Sequence, residues 1–515
     1  MYTPSRSIRF AVPLASVLAG VLAVTLTKPA LALDNDPFVY DPAFNYGLVI
    51  EDRFAATTTA SYLLGLRIAR AGNGDVIAAG IVPAAYQSSP PANNLGLARY
   101  GANGERLAWS TPTPSFVFYE DHYIDYPNST SGNIGWVEDL AIVNGRIYAL
   151  TDSAFNGSQR DVRIAIFNDG GAFIDDMPAF TTGLDEVGSA LVSYSYPTFD
   201  GSGNPVTRQM LVAIAGYATS IGRQIITMKR FVVSPVDGSL AVDNSFGVSN
   251  NGAMDQPLPD EFCDAGANCS WNAWDAAVAR GDTATPTFYL AGTVQTSNTQ
   301  QDAFVAAING YDGGMSSTFG RGNGIYVNYL EASSAGISVA VAAAAEAAND
   351  VVYLASDVGE SCGQKGAVTK LRAQVTLPEG TMTLPDFFWA DGGTRGIGGN
   401  PGSCGNVLTY LTQMVLDGDR LAFSGYENIV STIPDPLFAV VRATDGRLTE
   451  FSRAGFTPMR ADGTPWGGGV FSDLVAAGSG RYTTTGYLYD AAASNALLFG
   501  TARVVSDRVM GDGFD

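Results

Sequence analysis

Apolar and polar positions along this chain come in short bursts that recur with a long period. Runs such as Asp75-Val76-Ile77-Ala78-Ala79-Gly80, Phe288-Tyr289-Leu290-Ala291-Gly292 and Arg420-Leu421-Ala422-Phe423-Ser424-Gly425 each close on a small residue, and equivalents end at Thr151, Gly216, Ser356 and Gly486. A preceding run ends in a polar turn: Leu64 to Ala71, Trp136 to Val143, Trp274 to Ala279, Leu411 to Leu416 and Phe471 to Ala476. A following run alternates and turns at a Gly. Leu97 to Tyr100 leads to Asn103-Gly104, Ile164 to Phe167 to Asp169-Gly170, and Ala439 to Arg442 to Asp445-Gly446. Apolar runs bounded by Gly, Asn and Asp read as strands, and Asn-Gly or Asp-Gly between them as hairpin turns.

The repeat is timed by a Phe, at Phe44, Phe180, Phe246, Phe319, Phe388, Phe451 and Phe514, with one beat missing near Trp109. The spacing averages about 67 residues, and self-similarity at a fixed period decides architecture before any local motif does. Four strands per unit predict an all-β fold, a seven-bladed β-propeller closed by the two chain ends. Residues 38 to 47 carry a copy of the hook with no blade before it, placed to supply the last blade's missing outer strand, since open sheet edges are a liability. A helical solenoid would need apolar residues at helical spacing, which only Ser338 to Ala348 offers; that stretch reads as an irregular first strand of unit five. Two side-by-side sandwiches are the remaining alternative.

Composition adds a compartment. Arg6 and Arg9 precede the apolar stretch Phe10 to Leu26, and Ala30-Leu31-Ala32 is a small-x-small cleavage site. Residues 1–32 therefore read as a signal peptide, 33–506 as the propeller and 507–515 as a short tail, with secretion or periplasmic location expected. An uncleaved anchor is the rival reading, opposed by Pro13 and the short apolar run; no membrane span is expected after cleavage. The net charge is −21, with 50 acids against 29 Lys and Arg. Such a field repels nucleic acid and anionic membranes and keeps a monomer soluble.

The closing hooks carry a resemblance. Val236-Asp237-Gly238-Ser239-Leu240 with Asp243-Asn244-Ser245-Phe246-Gly247, Met315-Ser316-Ser317-Thr318-Phe319-Gly320, Asn73 to Gly80 and Leu97 to Leu107 resemble the delta-60 repeats of secreted bacterial β-propellers. The match fades in units five to seven. The resemblance implies a propeller and brings no shared catalytic residues.

Chemistry is sparse. One His excludes His-cluster metal sites and HExxH proteases, and neither GxxxxGK(S/T) nor GxGxxG occurs. Gly359-Glu360-Ser361-Cys362-Gly363 has nucleophile-elbow spacing, but an elbow needs a later His and His122 precedes it. Cys263 and Cys269, and Cys362 and Cys404, make two plausible disulfides after export, with zinc as the rival. The densest polar cluster is Tyr119, Glu120, Asp121, His122, Tyr123, Asp125 and Tyr126, in the long loop entering unit two. Rings beside carboxylates suit a glycan; paired acids suit glycoside hydrolysis, and His with Tyr an elimination. A surface loop with locally packed Tyr is the plain alternative. No cofactor is expected; a Ca²⁺ site from Asp260, Glu261 and Asp264 is one further reading. Asp139, Asp275 and Asp473 recur at one register and are expected to bond backbone at a strand start. The leading expectation is a binding module for a glycan or protein ligand; the alternative is a glycoside hydrolase or polysaccharide lyase using loop carboxylates or His122.

Overall fold

The computed structural model describes residues 38–40, 43–45, 50–52, 63–83, 93–111, 117–118, 123–126, 133–154, 160–180, 182–199, 202–219, 223–247, 251–262, 269–283, 285–296, 300–328, 333–360, 363–378, 380–390, 392–398, 407–429, 433–451, 466–478, 480–490 and 496–506. Residues 1–32, expected to form a signal peptide, and residues 507–515 lie outside them. Two short strands come first, β1 (Phe38–Tyr40) and β2 (Ile50–Asp52). The first unit holds β3 (Leu64–Arg70), β4 (Val76–Pro83), β5 (Asn93–Tyr100), β6 (Val117–Phe118) and β7 (Tyr123–Tyr126). The second holds β8 (Asn133–Val143), β9 (Arg146–Ala154), β10 (Arg160–Phe167) and β11 (Phe173–Pro178). Then follow β12 (Glu186–Phe199), β13 (Pro205–Ala218), β14 (Gln224–Val233), β15 (Leu240–Val242) and β16 (Ala253–Gln256). The fourth unit is β17 (Ser270–Ala279), β18 (Thr287–Gln295), β19 (Gln301–Asn309) and β20 (Ile325–Asn328). The fifth is β21 (Ser334–Ala342), β22 (Val351–Glu360), β23 (Gly363–Leu377), β24 (Gly380–Pro385) and β25 (Thr394–Ile397). The last two groups are β26 (Val407–Asp417), β27 (Arg420–Ile429), β28 (Asp435–Arg442) and β29 (Leu448–Phe451), then β30 (Gly469–Gly478), β31 (Arg481–Asp490) and β32 (Ala496–Ser506).

The chain is all-β and arranged as a β-propeller. Its first strands touch in a closed cycle: β3 with β8, then β12, β17, β21, β26, β30 and back to β3. Among the described residues the strands fall into six hydrogen-bonded sheets where seven separate ones are expected. A single parallel bridge, Gln364 to Leu408, joins the fifth and sixth groups into one nine-stranded sheet.

The core lies between neighbouring sheets. One cluster joins Ile68, Val76 and Tyr100 of the first unit to Leu488, Phe499 and Ala502 of the last, and it includes Phe44. The orphan hook works from both ends. β1 pairs antiparallel with β32, Phe38 opposite Ser506. Phe44, 1% exposed, packs on the first unit's hairpin at Gly104, where a Cβ would come within 3.0 Å of the ring. Gly104 is held at φ +81°, so the turn requires Gly for conformation as well as space.

The hooks share one construction, and it corrects the Phe count. Phe246 N–H donates to Asp243 O, Phe319 N–H to Ser316 O, and Trp389 N–H to Asp386 O. In unit five the buried aromatic is therefore Trp389, at 1% exposure, and Phe388 stands in solvent at 96%. Trp389 Nε1 donates to Ala443 O of the next unit at 2.9 Å, a bond Phe cannot make. Trp109, 2% exposed, fills the missing beat. An Arg on the third strand caps three hooks: Arg99 over Trp109, Arg230 over Phe246 and Arg503 over Phe44. The Ala-rich stretch also departs from one strand: β21 stops at Ala342 and a short 3-10 turn covers Ala347–Asn349.

Candidate functional site

Each of the first strands β3, β8, β12, β17, β21, β26 and β30 carries a bulge at the same place. The pairing slips between Gly65 and Arg67, Val137 and Asp139, Gly188 and Ala190, Ala273 and Asp275, Gly336 and Ser338, Leu411 and Gln413, and Phe471 and Asp473. A bulge sets two residues against one and re-aims the extra side chain. The residue after it holds the ring together. Asp139 accepts Leu140 N–H at 2.7 Å and, from the next unit, Leu191 N–H at 2.6 Å. Asp275 accepts Ala276 and Val339 N–H at 2.8 and 2.9 Å. Asp473 accepts Leu474 and Ile68 N–H at 2.7 and 2.8 Å. These carboxylates bond backbone in two units each, and their recurrence has a structural purpose.

Arg67 occupies the equivalent position in β3 and is the cation of this ring. Burial pushes Asp139 up to about 6 and Asp473 up to about 7, while Arg67 and the N–H donors pull both back. Burial also raises Asp275, which Ser338 and the two N–H donors partly offset. Arg67 spends its own donors on backbone, bonding Glu138 O and Leu66 O.

The bulged residues themselves are Leu66, Glu138, Ser189, Trp274, Ile337, Thr412 and Ser472, so Glu138 is the one carboxylate among them. Its carboxyl accepts no hydrogen bond from the described residues. Burial pushes it up to about 8; Arg67 lowers it and Asp152 raises it. Asp152, on β9, is 3% exposed, and its Oδ1 has no hydrogen-bond partner among the described residues. Its Oδ2 lies 3.9 Å from Arg160 Nη1. Burial pushes Asp152 up to about 6, against the pull of Arg160. Arg160 is anchored by Asp185 through Nε at 3.0 Å and Nη2 at 2.9 Å. Opposite Asp152 across the ladder stands Trp136, 39% exposed, and residues directly paired on antiparallel strands share a face. Two coupled carboxyls with separated protonation behaviour, next to an exposed indole, can give and take a proton at neutral pH.

A second cluster occupies the same strand position in later units. Asp357, Tyr426 and Tyr487 follow the closing small residues Ser356, Gly425 and Gly486, as Asp152 follows Thr151. Tyr410 and Tyr426 stack at 4.7 Å, and Tyr487 meets Tyr489 at 5.9 Å. Asp357 is buried and accepts Leu411 N–H at 3.0 Å; burial pushes it up to about 7.

Of the loop expected to hold a site, Tyr119, Glu120, Asp121 and His122 lie outside the described residues. Tyr123, Asp125 and Tyr126 do not sit in a loop entering unit two. They belong to β7, which pairs with β5 as an outer strand of the first unit, Asp125 opposite Gly96. The exposed edge of β5 explains this, since its unpaired groups need a partner. Among the cysteines, Cys263, Cys362 and Cys404 lie outside the described residues. The expected bridge from Cys269 is not made: it is a free thiol at 3% exposure, packed beside Trp271 and Val294 with Sγ 3.7 Å from Thr296 O. Asp260 pairs with Arg223 at 3.5 Å and Glu261 accepts from Asn323, while Asp264 is outside the described residues. No group of three His, Cys, Asp or Glu arranged for a metal occurs among the described residues. Glu360 pairs with Gly363, so Ser361 and Cys362 connect two antiparallel strands, not a strand and a helix. Sequence reasoning stopped at Asp139 and missed its neighbour Glu138, because a bulge leaves no mark in composition.

No family model and no curated protein matches the chain. Solved structures resemble it distantly. A GH93 α-L-arabinofuranosidase of Fusarium graminearum, in complex with arabinobiose, aligns over 72% of this chain and 92% of its own at 10% identity, TM-score 0.37. A thermostable family-43 glycoside hydrolase aligns over 68% and 100% at 10% identity, TM-score 0.31. An endo-arabinase from Bacteroides thetaiotaomicron aligns over 64% and 99% at 9% identity, TM-score 0.29.

Proposed function

We propose that the chain is an exported carbohydrate-active propeller that hydrolyses a glycan at its second unit, with Glu138 as general acid and Asp152 as base. The observation behind it is the coupling of Glu138, pushed up to about 8, to a buried Asp152 with an unpartnered oxygen. Glu138 gives its proton to the leaving glycosidic oxygen as the C1–O bond breaks. Asp152 takes a proton from the attacking water, whose oxygen bonds to C1. Trp136 offers a face for the sugar ring, and Arg160 keeps Asp152 ionised above pH about 6.

The same reading takes the ring as seven blades. It is supported by the cycle of bulged first strands and by the single bridge that merges two antiparallel units. Export rests on the sequence of residues 1–32; no helix among the described residues is long and apolar enough to cross a membrane. Binding without catalysis is the second reading, favoured by the consumption of Asp139, Asp275 and Asp473 in backbone bonds.

Incubation of the mature chain with a polysaccharide panel, scored for retention and for released reducing ends, tests both. Product that disappears in Glu138→Gln supports hydrolysis. Retention without product supports the second reading, and product unchanged in Glu138→Gln refutes the assignment.

A further inference from the structure

Away from the axis, the outer strands of the fourth and fifth units enclose a cleft of about 770 Å³. Its walls are β20, the turn before it (residues 320–324), β24 and β25, with Phe262 from the third unit at one end. The walls are fixed to each other. Gly320 N–H donates to Thr383 Oγ1 at 2.7 Å, and Thr383 N–H donates to Gly320 O at 2.8 Å. Below them Asn328 Nδ2 donates to Thr369 Oγ1 at 3.3 Å, and Thr369 shares a hydrogen bond with Thr394 at 3.0 Å.

We infer that this cleft is a binding site for a short oligosaccharide, separate from the axial carboxylates. Its lining mixes apolar surface with hydrogen-bonding groups, among them the Glu261 carboxylate and the Arg321 guanidinium, which suits a ligand with C–H faces and many hydroxyls. Tyr326 and Phe262 supply rings, and Met382 and Pro385 further apolar wall. Burial pushes the Tyr326 phenol up to about 12, so it stays neutral, and its hydroxyl donates to Asn328 Oδ1 at 3.4 Å. Arg321 is exposed at the rim and makes no ion pair among the described residues, leaving five N–H donors for ring oxygens, hydroxyls or a uronate. Gly322 and Gly392 keep the backbone open to a ligand: a Cβ on Gly392 would meet nothing within 4 Å, and one on Gly322 only Ser317 O at 3.8 Å. The volume corresponds to a few sugar rings, within the range of small-ligand sites.

Isothermal titration of the whole mature chain with cellotriose, xylotriose and trigalacturonate, at millimolar concentration, tests the site. At least one trisaccharide is expected to bind, with affinity reduced at least about tenfold in Met382→Trp, which fills the cleft. Arg321→Trp, on the exposed turn, is the second blocking variant in case the first fails to fold. Val236→Ser, at an exposed turn outside the cleft lining, should bind as the unaltered chain does. Loss on trigalacturonate alone in the Arg321 variant would assign the acidic sugar; equal loss on all three would assign the neutral one. Absence of binding by every trisaccharide, or binding unchanged in both blocking variants, overturns the inference. Binding lost only in Glu138→Gln would return the ligand to the axial site.

Discussion

Glu138 and Asp139 are neighbours on one strand, and they face opposite fates. Asp139 is gripped by N–H groups from its own unit and the next. Glu138 accepts nothing from the described residues and responds chiefly to burial and to Asp152. The bulge between Val137 and Asp139 makes the difference, turning one side chain into the inter-unit joint and the other out of it. Asp275 and Asp473 repeat the first arrangement, and no other bulged residue repeats the second. Recurring residues hold the ring; the departure from recurrence is where chemistry is available.

The largest effect expected is on activity. Glu138→Gln should lower the release of reducing ends by about a hundredfold or more, the usual weight of a general acid, without lowering the thermal midpoint. A fall in midpoint matching the loss of activity would make Glu138 a structural residue like its neighbour. Next, Trp389→Ala should cost about 3–5 kcal/mol in chemical denaturation, as large aromatic truncations in cores do, whereas Phe388→Ser should stay within about 0.5 kcal/mol. Equal losses would undo the hook register. Asp473→Ala should cost about 2–4 kcal/mol, because the N–H groups of Ile68 and Leu474 lose their acceptor. Asp473→Asn keeps one acceptor oxygen and should cost less.

The smallest effect is the pH dependence of stability. Asp139, Asp473 and Glu138 all stand above the ordinary carboxylate range, at about 6, 7 and 8. The folded chain therefore holds protons that the unfolded chain has released. Their contribution is full below the ordinary range and is lost as pH rises through about 6 to 8. Thermal midpoints should fall between pH 5 and pH 8, with a shallower slope in Glu138→Gln. A midpoint rising over that interval would contradict the burial argument.

The architecture was legible because a period survives substitution. Strand runs, hairpin Gly and the hook before Phe246 and Phe319 announced themselves through residue type alone. The orphan hook at Phe44 was readable for the same reason. Phe388 misled because hook register depends on the Asp386 to Trp389 hydrogen bond, which a Phe count ignores. Tyr123 to Tyr126 looked like a polar loop because a four-residue outer strand is too short to show alternation. The site was harder still. Asp152 is an ordinary residue in an ordinary strand, and its surroundings are set only by the fold, which places Trp136 opposite it and Arg160 beside it.

The most direct measurement is the titration of the Glu138 carboxyl itself, followed by carbon NMR of glutamate-labelled mature chain with Glu138→Gln to assign the signal. The account predicts a midpoint near 8, lowered in Asp152→Asn, because the neighbouring negative charge is gone. A midpoint in the ordinary glutamate range near 4.5, indifferent to Asp152, would contradict it.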